Sequence, residues 1–122
     1  WQIPIAMTTQ YLIHLGLGPL MLIIALIFKS FPPKKINYLY GYRMPSAMAN
    51  QDTWDEANQY AAKWLVFLSL MTTGLQMALI IIFSVNTSLI IASILICIAV
   101  VAVIPITERH QSKTFDDKGS RK

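Results

Sequence analysis

Three long stretches of this chain have no polar face. Residues 10–28, 64–83 and 89–106 each run without a charged side chain. About 20 helical residues cross the hydrocarbon of a bilayer, so the pattern predicts three transmembrane helices. A soluble bundle of three fully buried helices is the alternative, and it fails because no polar face remains to meet water across these runs. Between the first two spans the pattern changes. Lys29-Ser30-Phe31-Pro32-Pro33 stops the first helix, because two prolines cannot continue it. The segment that follows is irregular, punctuated by Gly41 and Pro45, and then becomes periodic. Trp54, Ala57, Asn58, Ala61 and Leu65 fall on one helical face. This loop-helix is expected to lie on the second span or run straight into it. Thr53-Trp54-Asp55-Glu56 has the form of a capping box, with Asn50 a rival cap one turn earlier. Trp54 and Trp64 are expected as interfacial anchors.

Within the spans, three features break the apolar pattern. His14-Leu15-Gly16-Leu17-Gly18-Pro19 predicts a kink or local break at residues 15–19. His14 itself reads as an interfacial histidine, with a ligand or proton site as the sharper alternative. Ser69, Thr72, Thr73 and Gln76 form a polar stripe on the second span, expected to hydrogen-bond to neighbouring helices rather than to line a substrate path. The link Ser84–Ser88 folds spans two and three into an antiparallel hairpin. The third span is expected to end at Pro105, and the tail Thr107–Lys122 to be only partly ordered. There is no internal repeat or low-complexity tract.

Charge supplies the orientation. Lys29, Lys34, Lys35, Arg43 and Lys63 lie between spans one and two, and Arg109, Lys113, Lys118, Arg121 and Lys122 follow span three. The stretch 1–10 and the link 84–88 carry no charge. Basic loops are retained on the cytoplasmic side, so the N-terminus reads as outside and the C-terminus as inside. The expected architecture is an all-α membrane protein: three transmembrane helices with a cytoplasmic loop-helix, 29–63, and a cytoplasmic tail, 107–122, in one domain, 1–122. The net charge of +4 sits beside membrane helices and is interleaved with acids, so lipid headgroups account for it and nucleic acid is not called for. The lone Cys97 reads as a packing residue. No basic leader or small-residue cleavage site precedes the first span, which is therefore expected in the mature chain.

Catalytic chemistry finds no foothold. No Ser/His/Asp or Cys/His arrangement, paired carboxylates or metal-ligand cluster is visible, and no cofactor is expected. His14 and His110 are expected on opposite sides of the membrane. The candidate chemistry lies in the loop instead. Arg43 is a rigid fork suited to a carboxylate, a phosphate or a lipid headgroup, and Asn50 and Asn58 can tie an irregular segment to a helix. Trp54 supplies bulk for docking, and Gly41 permits backbone angles closed to other residues. Arg43 is expected to pair with Glu108 and so link the loop to the tail.

The loop reads Lys35-Ile36-Asn37, Tyr40-Gly41-Tyr42-Arg43-Met44-Pro45-Ser46-Ala47-Met48, Asn50, Trp54 and Ala57-Asn58. This pattern resembles the SdpI-like family of small bacterial membrane proteins, which carry such a loop between their first and second helices. Thr107-Glu108, Phe115-Asp116, Gly119 and Arg121 resemble the ending of that family. The likeness runs over about residues 11–121, with Met44 standing where the family usually has threonine. It implies a bacterial inner-membrane location and a binding or capping role for Gly41, Tyr42, Arg43, Pro45, Met48, Asn50, Trp54, Asn58 and Glu108. The family takes its name from an immunity protein that protects a bacterium from its own secreted peptide toxin. By resemblance, a toxin-protection protein is the first reading. An accessory subunit of a larger membrane assembly is the alternative, and a small transporter follows. Expected partners are membrane lipids, other membrane subunits or further copies of the chain, and a peptide toxin.

Overall fold

A computed structural model describes residues 5–122, excluding the side chains of residues 5–8, 14 and 15. The reading of His14 as an interfacial or ligand side chain therefore falls outside what is described. Four helices follow in order: α1 (Ile5–Ser30), α2 (Pro45–Met48), α3 (Gln51–Ile82) and α4 (Val85–Thr114). Three of them are long and apolar enough to cross a membrane. The chain is an all-α membrane protein. α1 runs antiparallel to α3, with Met21 against Thr72 and Pro33 against Trp54. α3 and α4 form an antiparallel hairpin, with Thr53 beside Gln111. The loop, the start of α3 and the tail therefore gather at one end of the bundle, together with all the charge.

Several boundaries differ from the sequence reading, each for a physical reason. α1 continues through Pro19 without interruption. As one of the two expectations had it, the loop-helix runs straight into the second span, as one 32-residue helix. At 1.5 Å per residue that is about 48 Å, against about 30 Å of hydrocarbon, so its first turns project beyond the bilayer. Asn50, not Thr53, caps α3: its side chain accepts from the Thr53 amide, and the Thr53 hydroxyl accepts from the Asn50 amide. The box closes with threonine in place of the acid, so the reading centred on Glu56 was one turn too late. The link between α3 and α4 is only Phe83-Ser84, because the Ser84 hydroxyl caps α4 at once. Nor does α4 end at Pro105; it continues to Thr114. The tail beyond it is ordered as a turn, closed by a bridge between Phe115 and Arg121.

The bundle is packed inside out relative to a soluble one. Large apolar side chains such as Ile23, Ile24, Ile90 and Ile94 face outward, while Ala25, Ser69, Thr72, Gln76, Ser88, Ala92 and Ala99 are buried. Lipid is as apolar as leucine, so burying leucine stabilises little; close approach of small residues stabilises more. Ser69, Thr72 and Gln76 of the polar stripe are buried and Thr73 is half-buried, and the Thr72 hydroxyl reaches Met21 Sδ on the neighbouring α1, the interhelical contact expected of this stripe. The hydroxyls of Ser69, Thr72 and Thr73 donate to the carbonyls of Leu65, Leu68 and Ser69 on their own helix. Among the described residues, an ordinary core forms at the charged end, from Tyr42, Ala47, Trp54, Ala57, Ala61 and Val103.

Candidate functional site

That core lies beneath the loop, and the buried face of α3 builds it. Trp54 is fully buried, so it is no interfacial anchor. Its indole N–H donates to the Pro33 carbonyl at 2.7 Å, which fixes the chain as it leaves α1. Trp64, by contrast, is half-buried, with its ring edge-on to Phe67. One turn after Trp54, Asn58 meets both backbone groups of Tyr42. Its Oδ1 accepts from the Tyr42 amide at 2.6 Å, and its Nδ2 donates to the Tyr42 carbonyl at 3.4 Å and to the Trp54 carbonyl at 2.9 Å. A side-chain amide thus pairs with the loop as a neighbouring strand would, inside a site 1% exposed. Gly41 precedes this contact at φ 104°, and a Cβ there would lie 2.6 Å from both Asn58 Oδ1 and a Pro33 ring carbon. Conformation and space both require glycine at that position.

Tyr42 then carries the loop across to α4. Its hydroxyl donates to Glu108 Oε1 at 2.6 Å, and the Ser46 hydroxyl donates to the same oxygen at 2.6 Å. Burial first, and then the Glu108 carboxylate, raise the Tyr42 phenol far above its ordinary range, so it remains a donor. Arg43 does not pair with Glu108. Its guanidinium donates to the Tyr38 carbonyl and is exposed. Two neutral hydroxyls already satisfy Glu108, at less entropic cost than immobilising a long charged side chain. Pro45 opens the short helix α2 at its first position, where its missing amide costs nothing. Met48 packs against the buried cluster.

The tail forms the other half of the site. Gln111, 3% exposed, donates to the carbonyls of Thr53 and Ser46. Asp116 Oδ1 accepts from the amides of Lys118 and Ser120, a local turn that presents the Gly119 carbonyl to Asn50 Nδ2 at 2.8 Å. Gly119 has φ 82°, and a Cβ would lie 2.7 Å from that amide nitrogen. Arg121 closes the hook. Its Nε and one terminal nitrogen grip Asp52 at 2.8 and 2.7 Å, the other reaches Glu56 at 3.2 Å, and the guanidinium stands over the Phe115 ring. Hydrogen bonds to Asp52, then to Glu56, raise its pKa still further. Beside it His110 stacks on Tyr60, with Nε2 3.6 Å from Glu56.

Gly41, Tyr42, Pro45, Met48, Asn50, Trp54, Asn58 and Glu108 are thus brought into one interlocked cap, and Arg43 stands at its rim. Sequence reasoning gave Asp52 and Gln111 no role, read Thr53 only as a cap, and quoted Ser46 in the motif without a partner. Val103, Thr107 and Gln111 lie four apart on one face of α4, a signal that was available. Asp116 and Gly119 also carry a turn signature. Among the described residues, no group of three His, Cys, Asp or Glu side chains could hold a metal.

Fold and site together define a small three-helix membrane protein whose first loop and tail lock onto an extended second helix. Residues 34–107, more than half of the chain, match the model of the SdpI/YfhL protein family, and the chain belongs to that family. It is 42% identical over 62 residues to a Bacillus subtilis (strain 168) protein described as uncharacterized protein YfhL; the match covers 51% of this chain and 56% of that relative. The chain therefore spans about half the length of the curated relative it matches. No solved structure matches the chain.

Proposed function

We propose that this chain is a non-enzymatic protection protein of the immunity type, which blunts a membrane-active peptide by binding it. One observation carries the reading: the loop residues that mark the family are spent on one another. Tyr42, Trp54, Asn58 and Glu108 satisfy one another's polar groups, and Gly41 leaves the room for Asn58 to do so, which leaves a rigid cap and, among these residues, no activated nucleophile or base. A rigid cap is suited to presenting a surface rather than to turning over a substrate. The loop and tail are assigned to the cytoplasmic side of a bacterial inner membrane, on the charge asymmetry. The surface left for recognition comprises the bundle's apolar flank and the exposed loop tip, Tyr38, Leu39 and Met44.

Survival on challenge tests this. Cells sensitive to the secreted toxic peptide of the SdpI system would express the chain or Asn58→Ala, with membrane abundance measured in both. Protection by the wild type, lost in a variant still present in the membrane, is the expected result. Survival no better than with empty vector, at normal abundance, overturns the proposal. A partner purifying at fixed stoichiometry alongside such a failure would make the chain a subunit instead.

A further inference from the structure

A cleft of about 640 Å³ opens beside the cap, within the roughly 300–1,000 Å³ typical of small-ligand sites. Phe28 from the last turn of α1, Leu65 of α3, and Val100 and Ile104 of α4 line its apolar part. Val100 and Ile104 are one turn apart on the same face, 47% and 40% exposed. The cleft therefore continues onto the face turned toward lipid. Arg43 and Tyr38 stand at its mouth. Arg43 makes no ion pair with any described residue; its one recorded partner is the Tyr38 carbonyl, which leaves most of its five N–H donors open.

We propose that this cleft holds one anionic phospholipid, its phosphate on Arg43 and one acyl chain along Val100 and Ile104. Three observations converge. The cleft begins at the last turn of α1, where Lys29 marks the end of the apolar span, so its mouth lies at headgroup level and its floor at hydrocarbon level. An apolar cleft at that depth is poorly filled by water, and an empty one forfeits dispersion contacts along its walls. The planar guanidinium matches a phosphate with two parallel hydrogen bonds, and the Tyr38 contact holds one edge of it in place. Asp52 and Glu56 are held by Arg121, and Glu108 by Tyr42 and Ser46. None of the six acids of the chain lies within ion-pair distance of Arg43. The proposal rests on the membrane placement alone and is independent of toxin protection.

The test uses the full chain purified in mild detergent, with phosphatidylglycerol or phosphatidylcholine of matched chains added and bound lipid counted by native mass spectrometry. The wild type should favour the anionic lipid by about fivefold, the worth of one basic residue at a membrane surface. Arg43→Gln should bring the two lipids level, whereas Lys34→Gln, an exposed cation on the same loop, should leave the preference intact. Val100→Trp should fill the cleft and weaken both lipids in a protein that keeps its helical circular dichroism. An unchanged preference in Arg43→Gln overturns the proposal, as does an equal loss in Lys34→Gln or undiminished binding in Val100→Trp. Displacement of the lipid by inorganic phosphate at equal concentration would show a free-anion site and also overturn it.

Discussion

At the residue scale, the cap depends on a few buried polar atoms whose loss cannot be made good by water. Asn58 satisfies three backbone groups from one side chain. Asn58→Ala strands the Tyr42 amide and carbonyl, at about 1–3 kcal/mol for a buried unsatisfied group. A lowered midpoint on thermal unfolding in detergent, with new protease cleavage in residues 34–44, is the expected outcome. Tyr42 gives a pH signature. Its phenol titrates in the folded protein above its ordinary value near 10, so its contribution to stability is complete below pH 10 and is lost as pH rises further. Wild type should therefore lose stability above pH 10 more steeply than Tyr42→Phe, and parallel curves for the two proteins would refute the assignment. The residue types in this site were legible before the structure: the glycine, the asparagines and the tryptophan were all singled out. Their partners were not. Arg43 was expected on Glu108 because both lie at the same end of the bundle. Ser46 and Tyr42, closer and shorter, reached that carboxylate instead.

At the element scale, the length of α3 governs the arrangement. It extends several turns past the bilayer and offers the loop and the tail a common post. The tail is held to that post by the Asn50–Gly119 bond and the Arg121 fork. Arg121→Ala should release residues 115–122 to proteolysis while leaving the unfolding midpoint of the bundle nearly unchanged. High salt should loosen the wild-type tail in the same direction, because an exposed ion pair is screened. Gly119→Ala should release it too, through a backbone angle that alanine tolerates poorly and a Cβ set against Asn50. The continuity of α4 through Pro105 could not be read from the sequence. Proline removes one helical bond, and whether the helix survives depends on what holds both halves. Here Val103, Thr107 and Gln111 are buried on either side of it.

For the whole molecule, topology is the open prediction. All ten basic residues gather at the end that carries the loop and tail, and that end is assigned to the cytoplasm. A fluorescent protein fused after Lys122 should therefore glow in bacterial cells, while alkaline phosphatase at the same site should stay inactive. The opposite pair of results would invert the chain.

The three apolar runs and the charge asymmetry determined class, the number of membrane spans and the end at which polar chemistry gathers, because the bilayer imposes length and polarity on each segment locally. Periodicity determined the buried face of the loop-helix. What the tertiary structure alone decided was long-range pairing: which hydroxyls take Glu108, and how the tail returns to Asp52. Those choices join residues more than 60 positions apart in several contacts. They follow from distance and competition within a folded core, which no local pattern encodes.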